Sequence, residues 1–327
     1  MEALLKETLN TSTLKRTGQG GGGCINQGEA FITDTGTYFV KSNGKSKAKV
    51  MFDGEMASLI AIAATNTVHV PKPIKVLNNP KGGSSIVLEY LEMKGLRKYS
   101  RRLGHELAKL HQHNINLGIR ARRLENSVTK PKEASKETKD TEEGATEEAE
   151  PPKYITQFGF HTNTCCGYIA QENTWSDDWL TFFAQQRLQH QFSLLEKEYG
   201  DRDTLGLWSQ LQLKLPKFFK DIQIEPSLLH GDLWGGNAAE VSSGPVVFDP
   251  ASFYGHHEYE LAIAGMFGGF TASFYEAYHS HFPRAHGFDS RHKLYQLFHY
   301  LNHWNHFGSG YKSSSMSVMR SLLKGDY

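Results

Sequence analysis

Residues 230–237 read His-Gly-Asp-Leu-Trp-Gly-Gly-Asn, and the strand-like run Pro-Val-Val-Phe at 245–248 leads to a second acidic residue, Asp249. Asp232 and Asn237 lie five residues apart. This spacing is typical of a phosphotransfer loop, in which one carboxylate orients or deprotonates a hydroxyl while an amide oxygen and another carboxylate hold Mg²⁺. The structural alternative is a glycine-rich turn whose Asp and Asn only cap backbone groups.

The composition is that of an ordinary globular protein of about two domains, with 327 residues and a net charge of +1. Both signs of charge are mixed along the chain, so neither nucleic acid nor a membrane surface is an expected partner. The three cysteines lack the spacing of a disulfide framework, which suits a reducing compartment. With no signal-peptide pattern and no apolar run of bilayer length, we expect a cytoplasmic protein.

A glycine run opens the first segment, at residues 18–23, and matches G-x-G-x-x-G. The run is followed by the hairpin-like stretch 31–41, whereas a dinucleotide fingerprint leads directly into a helix. A glycine-rich flap over ATP phosphates fits this order better, and a merely flexible loop is the alternative. The predicted phosphate-binding glycines are Gly20, Gly21, Gly22 and Gly23.

The next helix, predicted at residues 49–64, carries Glu55 on its apolar stripe. A carboxylate on that face needs a cationic partner, because an unpaired buried charge costs several kcal/mol. Lys41, at the end of the preceding strand, is the nearest candidate, and such a pair aims the lysine at nucleotide phosphates. The alternative is a glutamate at the solvent border of the helix.

Two more strands are predicted at residues 70–77 and 85–91, separated by a Pro- and Gly-containing turn. The second ends where a connection between lobes would fall. We therefore predict that the backbone of Glu89, Tyr90 and Leu91 hydrogen-bonds adenine. A helix follows around residues 103–111, on which His111 is expected to be a core histidine.

Residues 127–152 are rich in acids and lysines and contain no aromatic residue, which predicts a disordered acidic insertion. From residue 154 onward the chain is aromatic-rich and helical, with later helices predicted near 258–278, 291–306 and 315–323. The layout is a β-rich N-terminal lobe, residues 1–92, and a helical C-terminal lobe, residues 93–327.

The order of these elements predicts an ATP- and Mg²⁺-dependent kinase, since phosphoryl transfer needs mainly positioning of the γ-phosphate, the metal and the acceptor. Lys41 is assigned to the phosphates, Asn237 and Asp249 to Mg²⁺, and Asp232 to the acceptor hydroxyl. Protein kinases have Arg where Gly231 stands here, and an Ala-Pro-Glu anchor that is missing from this sequence. With these differences the sequence resembles small-molecule kinases of the aminoglycoside-phosphotransferase type. The resemblance implies an α+β, two-lobed protein-kinase-like fold and a small-molecule acceptor.

Four stretches resemble the fructosamine-3-kinase family over nearly the whole chain. They are 230–237, 249–256 (Asp-Pro-Ala-Ser-Phe-Tyr-Gly-His), 266–270 (Met-Phe-Gly-Gly-Phe) and 300–308 (Tyr-Leu-Asn-His-Trp-Asn-His-Phe-Gly). The pair Gly235-Gly236 and the segment 307–311 resemble the ketosamine-3-kinase branch of that family.

The resemblance implies ATP-dependent phosphorylation of the sugar O3 of ketosamines on small amines and glycated proteins. Ribulosamines and psicosamines would be favoured over fructosamines. Phosphate on O3 leaves far more readily than hydroxyl, so the product eliminates it and frees the amine, which amounts to deglycation. The alternatives are an aminoglycoside- or choline-type kinase and a nucleotide-binding pseudokinase scaffold.

Substrate-binding residues follow from the chemistry of sugars, which stack on aromatic rings and hydrogen-bond to polar groups. The candidates are Trp234, His303 and Trp304. The spacing of His299, His303 and His306 also allows a metal site, against which we favour core packing of the first and third.

The cysteines divide into Cys24, directly after the glycine run, and the adjacent pair Cys165-Cys166. The family resemblance implies that Cys24 is redox-sensitive, and we expect a monomer that forms a Cys24-linked homodimer on oxidation. A semi-buried structural thiol is the alternative for Cys24. Cys165 and Cys166 are poorly placed to bond each other and are predicted to be core residues.

Overall fold

A computed structural model describes residues 1–22, 26–128 and 153–325. Its N-terminal part contains two helices and a five-stranded sheet in which all neighbours run antiparallel, in the order β1-β2-β3-β5-β4. The elements are α1 (Glu2–Thr8), β1 (Lys15–Gly22), β2 (Gln27–Thr33), β3 (Gly36–Asn43), α2 (Ala48–Ala64), β4 (Pro73–Asn78) and β5 (Ser84–Glu89).

The two faces of this sheet have different roles. Val40 of β3 and Val87 of β5 pack in a small apolar cluster with Leu5 of α1 and with Leu9, the residue that follows the helix. The opposite face, with Ile86 and Leu88, belongs to the main core, which includes the apolar residues of α2. Because side chains alternate along a strand, the residue after Val40 lies on the α2 face. The strand thereby delivers the lysine at position 41 to the helix that carries the predicted glutamate.

The remainder of the chain is mainly helical, with short strands at its junction with the sheet. Its helices are α3 (Ser100–Val128), α4 (Trp179–Phe182), a π-helical turn (Phe183–Gln189), α5 (His190–Tyr199), α6 (Arg202–Phe218), α7 (Glu258–Ala264), α8 (Ala272–His279), α9 (Phe288–Phe307) and α10 (Lys312–Lys324). Its strands are β6 (Lys94–Gly95), β7 (Thr164–Cys166), β8 (Ile169–Gln171), β9 (Ser227–Leu228), β10 (Ala238–Val241), β11 (Gly244–Val247) and β12 (Tyr254–Gly255).

Strand pairing brings the predicted catalytic stretch to the junction between the two parts. β10 pairs with β11 on one side and with β6 on the other. The backbone N–H of Val247 donates to the carbonyl of His69, which follows α2, at 3.0 Å. Residues 230–237 lie directly before β10, and Asp249 follows β11 after Phe248. Because Ala238 pairs with Val247, both segments lie at the same open end of this hairpin.

Much of the helical core is aromatic. Trp179, Phe253 and Tyr295 are buried against one another, and the Trp179 indole N–H donates to the Tyr295 hydroxyl at 2.9 Å. The guanidinium of Arg187 is fully buried and lies 4.1 Å from the centre of the Phe253 ring, a cation–π contact. Phe253 connects this core to the segment that follows Asp249.

The predicted arrangement of a β-rich part followed by a helical part is confirmed, with local exceptions. The helix expected at 258–278 is two helices, because Gly268 and Gly269 have positive φ values of 73° and 99° and break it. Residues 129–152 of the predicted acidic insertion lie outside the described residues. The first two positions of that prediction, 127 and 128, belong to the end of α3. None of the helices in the described ranges combines the length and apolar character needed to cross a bilayer.

Stability is expected to fall as the pH drops from about 6.5 towards 4. Burial lowers the pKa of His257 to about 3 and that of His306 to about 4, so between these values and about 6.5 the unfolded chain binds more protons than the folded one. The stability that each neutral, buried histidine contributes is fully present above about pH 6.5, the pKa of histidine in the unfolded chain. Between pH 7 and 5, protonation of each histidine in the unfolded chain should lower the free energy of unfolding by about 1–2 kcal/mol, which urea denaturation would measure.

His257→Phe provides the control. In the wild type the His257 ring stacks on Phe282 with 4.0 Å between ring centroids. Phenylalanine at position 257 keeps that stacking while it removes the titrating group. The variant should show a flatter dependence of unfolding free energy on pH. If the free energy of unfolding changed equally with pH in the variant and the wild type, His257 would not be a source of this pH dependence.

Candidate active site

A cleft of about 890 Å³ lies between the sheet and the helical part. Every predicted site residue whose side chain the structure describes lines this cleft, except Trp304. The lining members of the predicted set are Gly20, Lys41, Glu55, Glu89, Tyr90, Leu91, Asp232, Trp234, Asn237, Asp249 and His303. Gly21 and Gly22 belong to β1, whereas Gly23 and Cys24 lie outside the described residues.

Lys41 is the electrostatic centre of the cleft. Its Nζ lies 2.5 Å from Oε1 of Glu55, as predicted, and also pairs with Oδ1 of Asp249. Burial alone would lower the pKa of Lys41, but the charges of Asp249 and Glu55 outweigh it and hold that pKa above its ordinary value. Burial raises the pKa of Glu55 against the opposing effect of the lysine. The ammonium is therefore fixed as a cation where β3, α2 and the end of the β10–β11 hairpin meet.

The catalytic loop is held by its backbone. The buried carboxylate of Glu260, on α7, accepts the N–H of His230 at 2.5 Å and that of Gly231 at 3.0 Å. Nε2 of His111 lies 3.5 Å from the same carboxylate. Burial alone would raise the pKa of Glu260, but its hydrogen-bonding partners, His111 first, lower it. Sequence reasoning predicted His111 as a core residue, which is confirmed, but missed Glu260.

Asp232 is half-buried in the wall of the cleft. The amide nitrogen of Asn237 donates to the Asp232 carbonyl at 2.9 Å and to its Oδ2 at 3.3 Å, so the loop closes on itself. Burial, followed by the neighbouring charges of Asp249 and Glu260, raises the pKa of Asp232 to about 7. A carboxylate with this pKa is suited to accepting a proton from a hydroxyl near neutral pH.

Asn237 and Asp249 are the predicted Mg²⁺ ligands, and their contacts determine which of their atoms are available to a cation. The nitrogen of the Asn237 amide is engaged by Asp232, which leaves its oxygen as the atom available to a cation. Asp249 has 42% of its side chain exposed and adopts a left-handed φ of 58°, a conformation that a non-glycine residue rarely holds. These two oxygen donors fit Mg²⁺, which takes one or two protein ligands and completes its shell with phosphates and water.

The described residues were compared with the ligand sets of metal sites made by protein side chains alone. Within 1–22, 26–128 and 153–325 there is no group of three His, Cys, Asp or Glu side chains that could hold an ion. The alternative metal site is therefore not supported: His299 is fully buried, while His303 and His306 line the cleft. The prediction that His306 packs in the core is wrong, because its Nε2 accepts the N–H of Tyr168 at 3.0 Å beside the cleft.

The half of the cleft next to the sheet has apolar walls made by Phe39, Leu88 and Met93. They lie next to the connecting segment that contains Glu89, Tyr90 and Leu91. The Glu89 carboxylate accepts the N–H of Lys72 at 3.1 Å. Adenine recognition by the backbone of this segment stays a prediction.

The other half of the cleft, next to the helices, is lined by an aromatic group of five side chains: Trp234, Phe267, His303, Phe307 and Tyr311. The ring of His303 lies 4.9 Å from Phe267 and 5.2 Å from Tyr311, between centroids. Trp234, which is 40% exposed, approaches Phe267 edge-on at 6.3 Å. Sequence reasoning found only two of the five, and the Met-Phe-Gly-Gly-Phe stretch was a signal for Phe267.

Trp304 is the one substrate candidate that the structure contradicts. Its side chain is 1% exposed and packs against Tyr199 and Lys312, away from the cleft. Successive residues of a helix point about 100° apart, so the neighbouring positions 303 and 304 of α9 face different sides. His303 takes the side that faces the cleft.

Comparison with known proteins agrees with this geometry. The family model described as fructosamine kinase matches residues 1–137 and 151–325. The chain belongs to the fructosamine kinase family. Among its relatives is the mouse ketosamine-3-kinase, which is 55% identical over 99% of this chain and 100% of that protein. A chloroplastic protein-ribulosamine 3-kinase of Arabidopsis thaliana is 37% identical over 99% of this chain and 87% of its own.

Solved structures confirm the predicted fold of this fructosamine kinase family member. A Thermobifida fusca protein assigned as a fructosamine-3-kinase superposes with a TM-score of 0.74, at 22% identity and over 98% of both chains. A thermostable mutant of the aminoglycoside phosphotransferase APH(4)-Ia superposes with a TM-score of 0.57, at 12% identity and over 99% of both. The fold is therefore of the protein-kinase-like, aminoglycoside-phosphotransferase type.

Gly231→Ala is expected to destabilise the catalytic loop strongly. The residue has a φ of 85°, and an added Cβ would lie 2.2 Å from the carbonyl oxygen of Ala251. We expect a loss of about 2 kcal/mol or more in unfolding free energy, measured by denaturant titration, together with loss of activity.

Gly206→Ala is the matched control, because this glycine lies inside α6 and an added Cβ would meet no described atom within 4 Å. That variant should be neutral or more stable by up to about 1 kcal/mol. A Gly231→Ala protein as stable as Gly206→Ala would contradict the role given to this turn.

Proposed function

We propose that the protein is an ATP-dependent ketosamine-3-kinase, which phosphorylates O3 of the sugar of ketosamines. The observation that carries the proposal is the placing of Asp232 between two halves of one cleft. On one side stands the Lys41–Glu55–Asp249 ion cluster, and on the other the aromatic group. The sequence relationship to ketosamine and ribulosamine kinases supports the same acceptor.

Five polar residues of the cleft have distinct roles in this reaction. Lys41, oriented by Glu55, neutralises the phosphates of ATP. Asp232 accepts the proton of the sugar hydroxyl as its oxygen attacks the γ-phosphorus, and its raised pKa matches that task. Bound Mg²⁺ supplies charge neutralisation at the phosphate oxygens, and Asn237 and Asp249 would hold it.

The aromatic group suits a sugar joined to an amine. The Trp234 ring offers an apolar face for the carbon-bound hydrogens of the sugar, and His303 offers a ring nitrogen for a hydroxyl. Trp234, Phe267 and Phe307 are 40% or more exposed, so the acceptor half is open to solvent. An open entrance suits ketosamines on protein lysines as well as small ones. Glycated proteins and small ketosamines are accordingly the substrates that we propose.

Phosphorylation at O3 gives the reaction its repair character. The phosphate is a better leaving group than the original hydroxyl, so the product eliminates phosphate and releases the amine. A cytoplasmic location, the Cys24-linked dimer and the absence of nucleic-acid or membrane partners stay predictions from the sequence.

Phosphorus NMR tests this function directly. The protein is incubated with ATP, Mg²⁺ and either a ribulosamine or a fructosamine. We expect a sugar-phosphate resonance that decays to inorganic phosphate, with the ribulosamine consumed faster. ATP consumption only with aminoglycosides or choline-like alcohols would overturn the acceptor, and the absence of any transfer despite nucleotide binding would favour a pseudokinase.

Asp232→Asn should lower kcat for ribulosamine by about 10²–10⁴-fold, the contribution typical of a positioned general base. Nucleotide affinity, measured by calorimetry, should change little, because Lys41 and Glu55 are untouched. Asp203→Asn, on the first turn of α6, is the matched control and should behave as the wild type. An active Asp232→Asn enzyme would refute the assignment.

Trp234→Ala should raise the KM for ribulosamine by about tenfold and leave the KM for ATP nearly unchanged, because stacking is lost only on the acceptor. Trp175, 36% exposed and outside the cleft lining, gives the comparison variant Trp175→Ala. Steady-state kinetics with each substrate varied would measure both constants. Equal effects of the two substitutions would argue against sugar stacking on Trp234.

A further inference from the structure

The aromatic group at the entrance of the acceptor half has features that suit a positively charged ligand. Phe267 and Phe307 are 43% and 55% exposed, and their ring centroids lie 4.9 and 5.6 Å from that of His303. The ring of Tyr311 lies 5.2 Å from His303 and 6.3 Å from Phe307. Contiguous aromatic surface open to solvent in a cleft indicates a ligand site, and the faces of such rings carry the negative part of their quadrupole.

His303, in the middle of these rings, is held as a neutral imidazole. Its Nδ1 donates to the carbonyl oxygen of His299 at 2.7 Å, and because a carbonyl only accepts, the ring proton is on Nδ1. Burial lowers the pKa of His303 below its ordinary value, so the ring carries no charge near pH 7. A cation bound beside it therefore meets no repulsion from this residue.

The backbone adds negative potential at the same place. The helix α9 is 20 residues long and ends at Phe307, and His303 lies about one turn before that end. The C-terminal end of a helix carries a partial negative charge that stabilises nearby cations. Among the described residues that line the cleft, Lys41 is the one lysine or arginine, and it is paired with carboxylates in the ion cluster. No lysine or arginine of this lining thus belongs to the aromatic group.

Ketosamines differ from ordinary sugars in carrying a secondary amine, which is protonated near neutral pH. We propose that the ring faces of Phe267, Phe307 and Tyr311, together with the end of α9, form an ammonium subsite that binds this protonated amine. Cation–π contacts recognise alkylated ammonium groups in the same way in other aromatic cages. The inference rests on the proposed function, to which it adds the basis for selecting sugar amines over neutral sugars, while Trp234 stacks on the sugar.

The decisive measurement compares a ribulosamine with its ether analogue, in which oxygen replaces the amine nitrogen and removes the charge. For the wild type, kcat/KM should be about tenfold or more higher for the amine than for the ether. The double variant Phe267→Leu/Phe307→Leu keeps apolar volume but removes two ring faces. Its kcat/KM should fall about tenfold for the amine and less than about twofold for the ether. A merely structural role of the two phenylalanines would lower both values equally.

Two further variants serve as controls. Phe307→Tyr keeps an aromatic face and should retain the preference for the amine within about twofold. Tyr199→Leu removes a ring that is 43% exposed but lies outside the cleft lining, and it should behave as the wild type. If the double variant does not fold, the single variant Phe307→Leu replaces it, with an expected loss of about threefold for the amine alone.

Binding without turnover separates the two levels of the proposal. Analogues that lack the O3 hydroxyl cannot be phosphorylated at that position, so calorimetry with their amine and ether forms measures the ammonium subsite by itself. Equal affinity of the wild type for the two forms, or an equal loss of both in the double variant, would overturn the subsite while leaving the kinase function intact. A wild-type protein that binds the amine form but does not phosphorylate ribulosamine would instead overturn the proposed function.

Discussion

The ammonium of Lys41, held between the carboxylates of Glu55 and Asp249, is the interaction on which the rest of the structure depends. Removing a cation from water costs several kcal/mol, and only partners with good geometry compensate for that cost. Here the partners come from α2 and from the segment after β11, so the charge balance is complete only when the sheet and the helical part are assembled. The same requirement places a fixed positive charge in the wall of the cleft.

A second constraint acts on the backbone of the catalytic loop. The Glu260 carboxylate accepts hydrogen bonds from the backbone N–H groups of His230 and Gly231. The left-handed conformation of Gly231 lets the chain pass against Ala251. Asp232 is thus aimed by a buried carboxylate on α7 and by the shape of its own loop. A side chain at position 231 would meet the backbone of Ala251, which explains why a glycine stands where protein kinases have arginine.

The features that could be predicted from the sequence were those encoded by local offsets. An inward-facing Glu55 and the place of Lys41 at the end of the preceding strand were enough to predict their pair, and the spacing of Asp232, Asn237 and Asp249 predicted their common cleft. Glu260 and the burial of Trp304 were not predictable, because each depends on which neighbours pack against α7 and α9. No short-range pattern carries that information.

The β7–β8 hairpin has a consequence for motion. It lies against α2 at Gly54 and is tied to α9 through Tyr168 and His306, while the ammonium of Lys45, beyond β3, lies 5.3 Å from the centre of the Tyr168 ring. The hairpin therefore acts as a spacer that touches both walls of the cleft. Any widening of the cleft must either carry the hairpin along with one wall or break its contacts with the other, so the gap between the walls has a preferred width.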